Sequence, residues 1–214
     1  MSWDKTQSAL AVAALGAFAG LWRWHSPPAK KLTGEEIDHY LEIISRLPSP
    51  GDGTEGFIAR VRDWAEADDG KPVYMLNLLR YFPELHRFPG APEFEGTPRE
   101  ANAHYEKSVA ALWLRNASYP MIGGTVQGHN LIQTRPEQES YSSAMMVRYP
   151  SRRRFLEILA DPAYAGFEPY KLMAVEIDLM PVSGERVFPD LRWVGGSALL
   201  ALLNAVGWFT ATRS

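Results

Sequence analysis

The chain has 214 residues, with 22 basic and 25 acidic side chains and a formal net charge of −3. This balance offers no basic footprint for nucleic acid, so we expect no nucleic-acid partner. The absence of cysteine excludes disulfide bonds, thiolate metal sites and cysteine nucleophiles. The length suits one domain of ordinary size with appended segments.

Both ends of the chain are apolar. Residues 8–24 read SALAVAALGAFAGLWRW, and residues 194–209 read VGGSALLALLNAVGWF. Each is close to the lower limit of about 17 residues for crossing a bilayer, and tryptophans at their ends are typical of the membrane interface. Basic residues lie on the sides that face the middle of the chain, which the positive-inside rule places in the cytoplasm. We therefore expect hydrophobic helices within 1–26 and 184–214, contact with membrane lipid and a cytoplasmic middle domain.

Other interpretations of the two ends stay open. The small-residue sequence Ala17-Phe18-Ala19 resembles a signal-peptide cleavage site, which would make the protein secreted or periplasmic. Either stretch could instead be a buried helix, or the two could pair as a helical hairpin beside the domain.

Residues 27–70 are expected to form a helical linker or cover. Thr33 and Glu36 have the spacing of a capping box, which predicts the start of a helix with Ile37 in its apolar stripe. A second helix is expected over residues 55–67. These helices could cover the sheet of the domain that follows.

Strands and helices alternate from residue 71 to residue 183. Apolar runs predict strands at 71–81, 119–127, 141–149 and 172–180, and amphipathic patterns predict helices at 99–116 and from Ser151 to Asp161-Pro162. The order is the ferredoxin-like βαββαβ pattern of an α+β domain, which places both helices on one face of a four-stranded antiparallel sheet. The other face needs a cover. A second copy of the sheet, forming a dimeric α/β barrel, or the early helices would provide one.

Three motifs carry a resemblance to a known family: VYMLNLLRY at 73–81, YPMIGGTVQG at 119–128 and VRYPSRRRFLEILADPAY at 147–164. Residues 71–182 are similar to the family called domain of unknown function 1330. The resemblance implies a dimeric α/β barrel that forms a homodimer through the sheet face. It implies no agreed activity, because related barrels include monooxygenases, haem-handling enzymes and isomerases.

The chain departs from the family at two pairs of positions. Members tend to carry Trp-Asp where this chain has Tyr141-Ser142, and His-Arg where it has Tyr170-Lys171. If that Asp and His do chemistry in relatives, this protein lacks both groups. These departures favour a binding or scaffold role over ordinary catalysis.

Polar residues on and beside the predicted strands are candidates for ligand binding. Asn77 lies mid-strand among apolar residues, and its amide needs a partner that a ligand, a loop or a dimer mate could supply. Arg80 could bind a carboxylate, although a surface ion pair is the more common outcome for an arginine. Tyr141, Arg148 and Tyr170 are expected to line the same mouth, with ordinary packing or exposure as the alternative for each.

No reaction follows from the motifs. An enzyme would need a base, and His104 or a perturbed tyrosine is the candidate. The histidines lack metal-ligand spacing, so no metal site and no cofactor are expected. Three functions stay open. The first is a membrane-associated barrel that binds a small, partly apolar molecule in a sheet-lined cavity. The others are a cofactor-independent oxygenase or isomerase, and a non-catalytic interaction subunit.

Overall fold

The computed structural model describes residues 5–28, 30–48, 54–128, 131–132 and 141–184, and the single positions 194, 197–199, 201, 204 and 208. The chain divides into a unit of residues 1–183 and a second unit of residues 184–214. The single positions of the second unit are helical. Most of the apolar stretch predicted at 194–209 lies outside the described residues.

The first unit contains helices and strands in mixed order. The helices are α1 (Lys5–His25), α2 (Gly34–Ile44), α3 (Thr54–Glu66), α4 (Pro98–Arg115), α5 (Arg152–Leu159) and α6 (Tyr164–Leu172). The strands are β1 (Val73–Tyr81), β2 (Tyr119–Thr125), β3 (Ser143–Tyr149) and β4 (Val175–Ser183).

The four strands form one antiparallel sheet in the order β2-β3-β1-β4. This is the strand order of the ferredoxin-like arrangement, with β1 and β3 in the centre. The sequence therefore predicted the α+β class and the four strands. It missed α6, because the pattern after Pro162 contains a glycine and Pro169, and both residues argue against a helix. As a result β4 begins at Val175 rather than at residue 172.

Strand pleating gives β1 two different faces. Val73, Met75 and Asn77 are buried on the face that we call the helix side, where Val73 and Met75 share a core with residues of α4 and α5. The opposite face, which we call the open face, carries Leu76 and Arg80, whose cross-strand partners on β4 are Met180 and Glu176.

The helices α2 and α3 join the helix-side core. Thr33 and Glu36 form the predicted capping box at the start of α2, and Ile37 is buried in the same core as Val61 of α3. Trp64 of α3 packs edge-on against Phe155 of α5, with ring centroids 5.5 Å apart. The two helices thus add a layer beside α5, whereas the sequence allowed them to cover the other face of the sheet.

The membrane assignment is wrong. Among the described residues, no helix combines the length and the apolar character that crossing a bilayer requires. α1 has 21 residues, but it begins with Lys5 and ends with Arg23 and His25 in its last turn, so its apolar part is too short. The transmembrane helix predicted at the N-terminal end and the membrane localisation are corrected accordingly, whereas most of the C-terminal stretch at 194–209 lies outside the described residues.

Core packing under the sheet should dominate the stability of the first unit. Leu156 of α5 is 0% exposed in the helix-side core, whereas Leu114 of α4 is 55% exposed. Leu156→Ala should lower the free energy of unfolding by about 2 to 5 kcal/mol, because it leaves a cavity, while Leu114→Ala should cost less than about 1 kcal/mol. Urea denaturation of both variants measures the difference. Equal losses would contradict the position of the core.

Candidate ligand-binding cavity

A cavity of about 530 Å³ lies between the helix side of the sheet and the helices α2 to α6. Its volume falls within the range of small-molecule sites. Most of its walls are apolar, and they include Val61, Trp64, Met75, Trp113, Phe155 and Ile158. Arg60, Leu179 and Pro181 line the cavity and are exposed, which places its mouth between α3 and the edge strand β4.

A few polar side chains converge on this apolar space. Asn77 reaches it from the centre of the sheet, and Glu168 and Lys171 reach it from α6. Residues three positions apart lie on the same side of a helix, which is why both α6 side chains line the cavity. Tyr105 of α4 adds a fourth polar group.

Lys171 is held by a short network. Its Nζ donates a hydrogen bond to Asn77 Oδ1 at 3.1 Å. Asn77 Nδ2 in turn donates to the carbonyl oxygens of Met75, at 3.0 Å, and Met145, at 3.4 Å. The ammonium also lies 5.1 Å from the centroid of the Tyr105 ring, a cation–π distance. The network fixes the amide with its oxygen towards Lys171, and the bond to Asn77 uses one of the three Lys171 donors.

Burial changes the pKa of both ionisable groups of α6 in this cavity. It raises the pKa of Glu168 to about 7, against the attraction of Lys171. It lowers the pKa of Lys171 to about 8, and the charges of Glu106 and Glu168 oppose that change. Glu168 Oε2 is buried and has no hydrogen-bond partner among the described residues. Perturbed ionisable groups and unsatisfied polar atoms of this kind mark candidate functional sites.

The buried tyrosines around the cavity are poor bases. Burial raises the pKa of Tyr105, Tyr149 and Tyr164 above the ordinary value for a phenol. Each therefore stays protonated at neutral pH and contributes a ring wall and a hydroxyl group. The tyrosine base that the sequence left open is thus disfavoured at these three positions.

The structure brings Arg80 and Tyr141 together, but away from the cavity. The Arg80 guanidinium lies 4.4 Å from the centroid of the Tyr141 ring and pairs with Glu176 at 3.1 Å and Asp178 at 3.3 Å. Tyr141 donates its hydroxyl hydrogen to Asp178 at 2.6 Å. Arg80 thus takes the surface ion pair that was its alternative to ligand binding.

Arg148 and Tyr170 lie in two further places. Arg148 is buried and donates to the carbonyl oxygens of His25, at 3.0 Å, and Ala117, at 3.5 Å. The Tyr170 ring packs against the exposed His104, with ring centroids 4.4 Å apart, and against Phe94. Neither Tyr170 nor His104 lines the cavity. Of the residues singled out in the sequence, Asn77 alone contributes to it.

Sequence reasoning missed Glu168 and Lys171. A Glu and a Lys three positions apart on a helix usually form a solvated pair, and the helix that carries them was not predicted. Nothing local in the sequence distinguishes this pair from a surface pair. Among the described residues, no group of side chains is arranged to hold a metal ion.

Comparisons with known proteins support the fold of this chain, and they assign no activity to it. No family model and no curated protein matches the chain, so the resemblance to domain of unknown function 1330 is not confirmed. The structure of methylated RPA0582 is 26% identical, with a TM-score of 0.52, over 66% of this chain and 97% of that chain. A second RPA0582 structure, described as a protein of unknown function from Rhodopseudomonas palustris, is 25% identical, with the same TM-score, over 66% of this chain and 100% of that chain.

A further solved structure is more distant. SnoaB, a cofactor-independent oxygenase from Streptomyces nogalater, is 14% identical, with a TM-score of 0.34, over 56% of this chain and 99% of that chain. A likeness this low carries no functional argument for the present chain.

The pH dependence of unfolding should reveal the burial of Lys171. Its pKa is about 8 in the folded protein, against an ordinary value of 10.5, so the unfolded chain binds more protons between these values. The free energy of unfolding should therefore rise with pH, by an amount on the order of 2 kcal/mol between about pH 8 and about pH 10. Lys171→Met should remove this rise, as measured by urea denaturation across the range.

The matched control is Lys107→Met, which changes an exposed lysine of α4. It should keep the wild-type dependence on pH. The difference between the two variants therefore reports Lys171 together with Glu168, whose pKa Lys171 lowers. Identical pH profiles for the two variants would show that the Lys171 ammonium is not desolvated.

Proposed function

We propose that the protein binds a small, largely apolar molecule in the cavity beneath the sheet, with the polar end of the ligand at Lys171, Asn77 and Glu168. One observation carries this proposal. A cavity of about 530 Å³ with aromatic and aliphatic walls contains a buried amine and a buried carboxyl oxygen that has no partner in the part of the chain that the structure describes. An apolar pocket with a few converging polar groups and perturbed pKa values is the usual form of a small-molecule site.

A purely structural role explains these groups less well. Lys171 bonds to a neutral amide, and among the described residues Glu106 and Glu168 act on it by charge without a hydrogen bond to its ammonium. Burying an ammonium without a close counter-ion is costly, so a protein that needed only packing here would gain stability from an apolar side chain. A ligand that completes the hydrogen bonding of Lys171 and Glu168 would offset the free-energy cost of burying both groups.

The walls indicate the shape of the ligand. Trp64, Trp113 and Phe155 offer ring surfaces for an apolar body, and the polar groups lie where α6 approaches β1. The ligand would enter at the edge strand β4 and place its polar end at Lys171.

Binding can be tested by filling the cavity. Val61 of α3 is buried at its wall, so Val61→Trp should occupy the space and weaken binding of the uncharged fluorophore N-phenyl-1-naphthylamine by at least roughly tenfold. Val12→Trp, on the exposed surface of α1, is the matched control and should leave the affinity unchanged. Fluorescence titration measures both, and circular dichroism checks the fold. Equal affinities for the two variants would refute binding in the cavity.

We also propose that a second copy of the chain covers the open face. Ile122, Met146, Leu76 and Met180 form an apolar row across the four strands in cross-strand register. Ile122 is 70% exposed and Met180 is 41% exposed, although monomers rarely leave a contiguous apolar row in water. A two-fold axis would place this row against its own copy.

Light scattering coupled to size-exclusion chromatography tests the dimer. The wild-type chain should elute as a dimer at micromolar concentration, and Met180→Lys should convert it to a monomer by placing a charge in the interface. Leu114→Lys, which changes an exposed leucine of α4, should leave the dimer intact. A monomeric wild-type protein would contradict this part of the proposal.

A further inference from the structure

We infer that Lys171 forms a reversible imine with an aldehyde or ketone group of the molecule in the cavity, an inference that rests on the proposed binding function. It assigns the ligand to the carbonyl compounds and gives Lys171 a covalent role. The inference starts from the position of the amine. Lys171 lies inside an apolar cavity, bonded to Asn77 and facing the Tyr105 ring, and not on the surface as most lysines do.

A lysine attacks a carbonyl carbon only through its uncharged form, and desolvation in an apolar pocket increases that form. The surroundings of Lys171 meet this condition, because its hydrogen-bond partner is a neutral amide, an aromatic ring lies beside it, and the effect of burial outweighs the charges of Glu106 and Glu168. Burial accordingly lowers the pKa of Lys171 to about 8, so that a substantial share of the amine is uncharged in weakly basic solution.

Glu168 supplies the second requirement, a group that gives and takes protons. Its side chain lines the same cavity from the same side of α6, and its Oε2 has no partner among the described residues. With a pKa of about 7, Glu168 is populated in both protonation states at neutral pH, as a general acid and base must be.

The chemistry balances without an oxidant or a reductant. The Lys171 lone pair attacks the carbonyl carbon, a C–N bond forms, and the carbonyl oxygen takes the Glu168 proton. The Glu168 carboxylate then takes a proton from nitrogen, which leaves a carbinolamine. Glu168 returns that proton to the hydroxyl group, water leaves as the C=N bond forms, and the carboxylate removes the remaining proton from nitrogen. The sum is amine and carbonyl to imine and water.

The charge in the cavity favours a carbonyl over an acidic ligand. A carboxylic acid could pair with Lys171, but once ionised it would also meet the Glu168 carboxylate in the same small space, and like charges there repel strongly. An aldehyde or ketone brings no charge, and its oxygen can accept a hydrogen bond from either group.

Reductive trapping tests the inference on the full chain. The protein is incubated with hydrocinnamaldehyde, an apolar aldehyde, and the imine is reduced to a stable amine with sodium cyanoborohydride. Peptide mass spectrometry then locates the label. We expect Lys171 to be labelled at least about tenfold faster than the exposed Lys107, because more of its amine is uncharged. Labelling of Lys171 no faster than Lys107 would overturn the inference.

Variants separate the imine from simple charge and packing. Lys171→Arg keeps a cation but cannot form an imine, so the fast label should disappear, whereas Lys107→Met should keep it. Glu168→Gln should slow labelling of Lys171 by a larger factor than it weakens the binding of hydrocinnamyl alcohol, the matched alcohol. An unchanged labelling rate in Glu168→Gln would overturn the part assigned to Glu168.

The alcohol also distinguishes this inference from the proposed function. Hydrocinnamyl alcohol can fill the cavity but cannot form an imine, and its binding is measured by competition with the fluorophore. If the alcohol binds and Lys171 is not labelled, the imine fails and the binding function stands. If neither the fluorophore nor the alcohol binds and Lys171 is not labelled, both fail together.

Discussion

The alternation of side chains along β1 is the constraint on which the rest of the structure depends. β1 lies at the centre of the sheet and pairs with both β3 and β4, so its pleat sets which side chains of three strands point towards the helices. A shift of one residue would exchange the two faces. It would expose Met75 and Asn77 and drive Arg80 into the core. The core, the cavity and the open face are therefore all consequences of one register.

In this register, the cavity contains features with opposite effects on the stability of the fold. Apolar walls stabilise the fold by burial, whereas a buried ammonium and a buried carboxyl group lower its stability unless they are paired. Lys171 has a hydrogen bond to Asn77 and a ring beside it, but Glu168 Oε2 has no partner in the described part of the chain. Proteins break the rules of good packing chiefly at functional sites, and this cavity is one place where the described part of the chain does so.

Outside the cavity, the buried or half-buried groups of Arg80 and Arg148 have partners within the protein. Arg80 has two carboxylate partners and an aromatic ring, and Arg148 is satisfied by backbone carbonyl oxygens. Such satisfied groups position strands and chain ends and leave little capacity for a ligand. Polar residues at or near strands look alike in the sequence. In the folded protein they differ in how many of their hydrogen-bonding groups can still bind a ligand.

The sequence by itself determined the four strands and the helices α2 to α5, because helix periodicity, strand alternation and the Thr33 capping box are local properties. It also identified Asn77 as an inward polar residue, since its neighbours on the same face are apolar. Tertiary structure alone decided that the residues after Pro162 continue as α6, and that Lys171 meets Asn77 across 94 positions. The physical reason is that burial and partnership of a polar group depend on packing between distant segments, which no local pattern records.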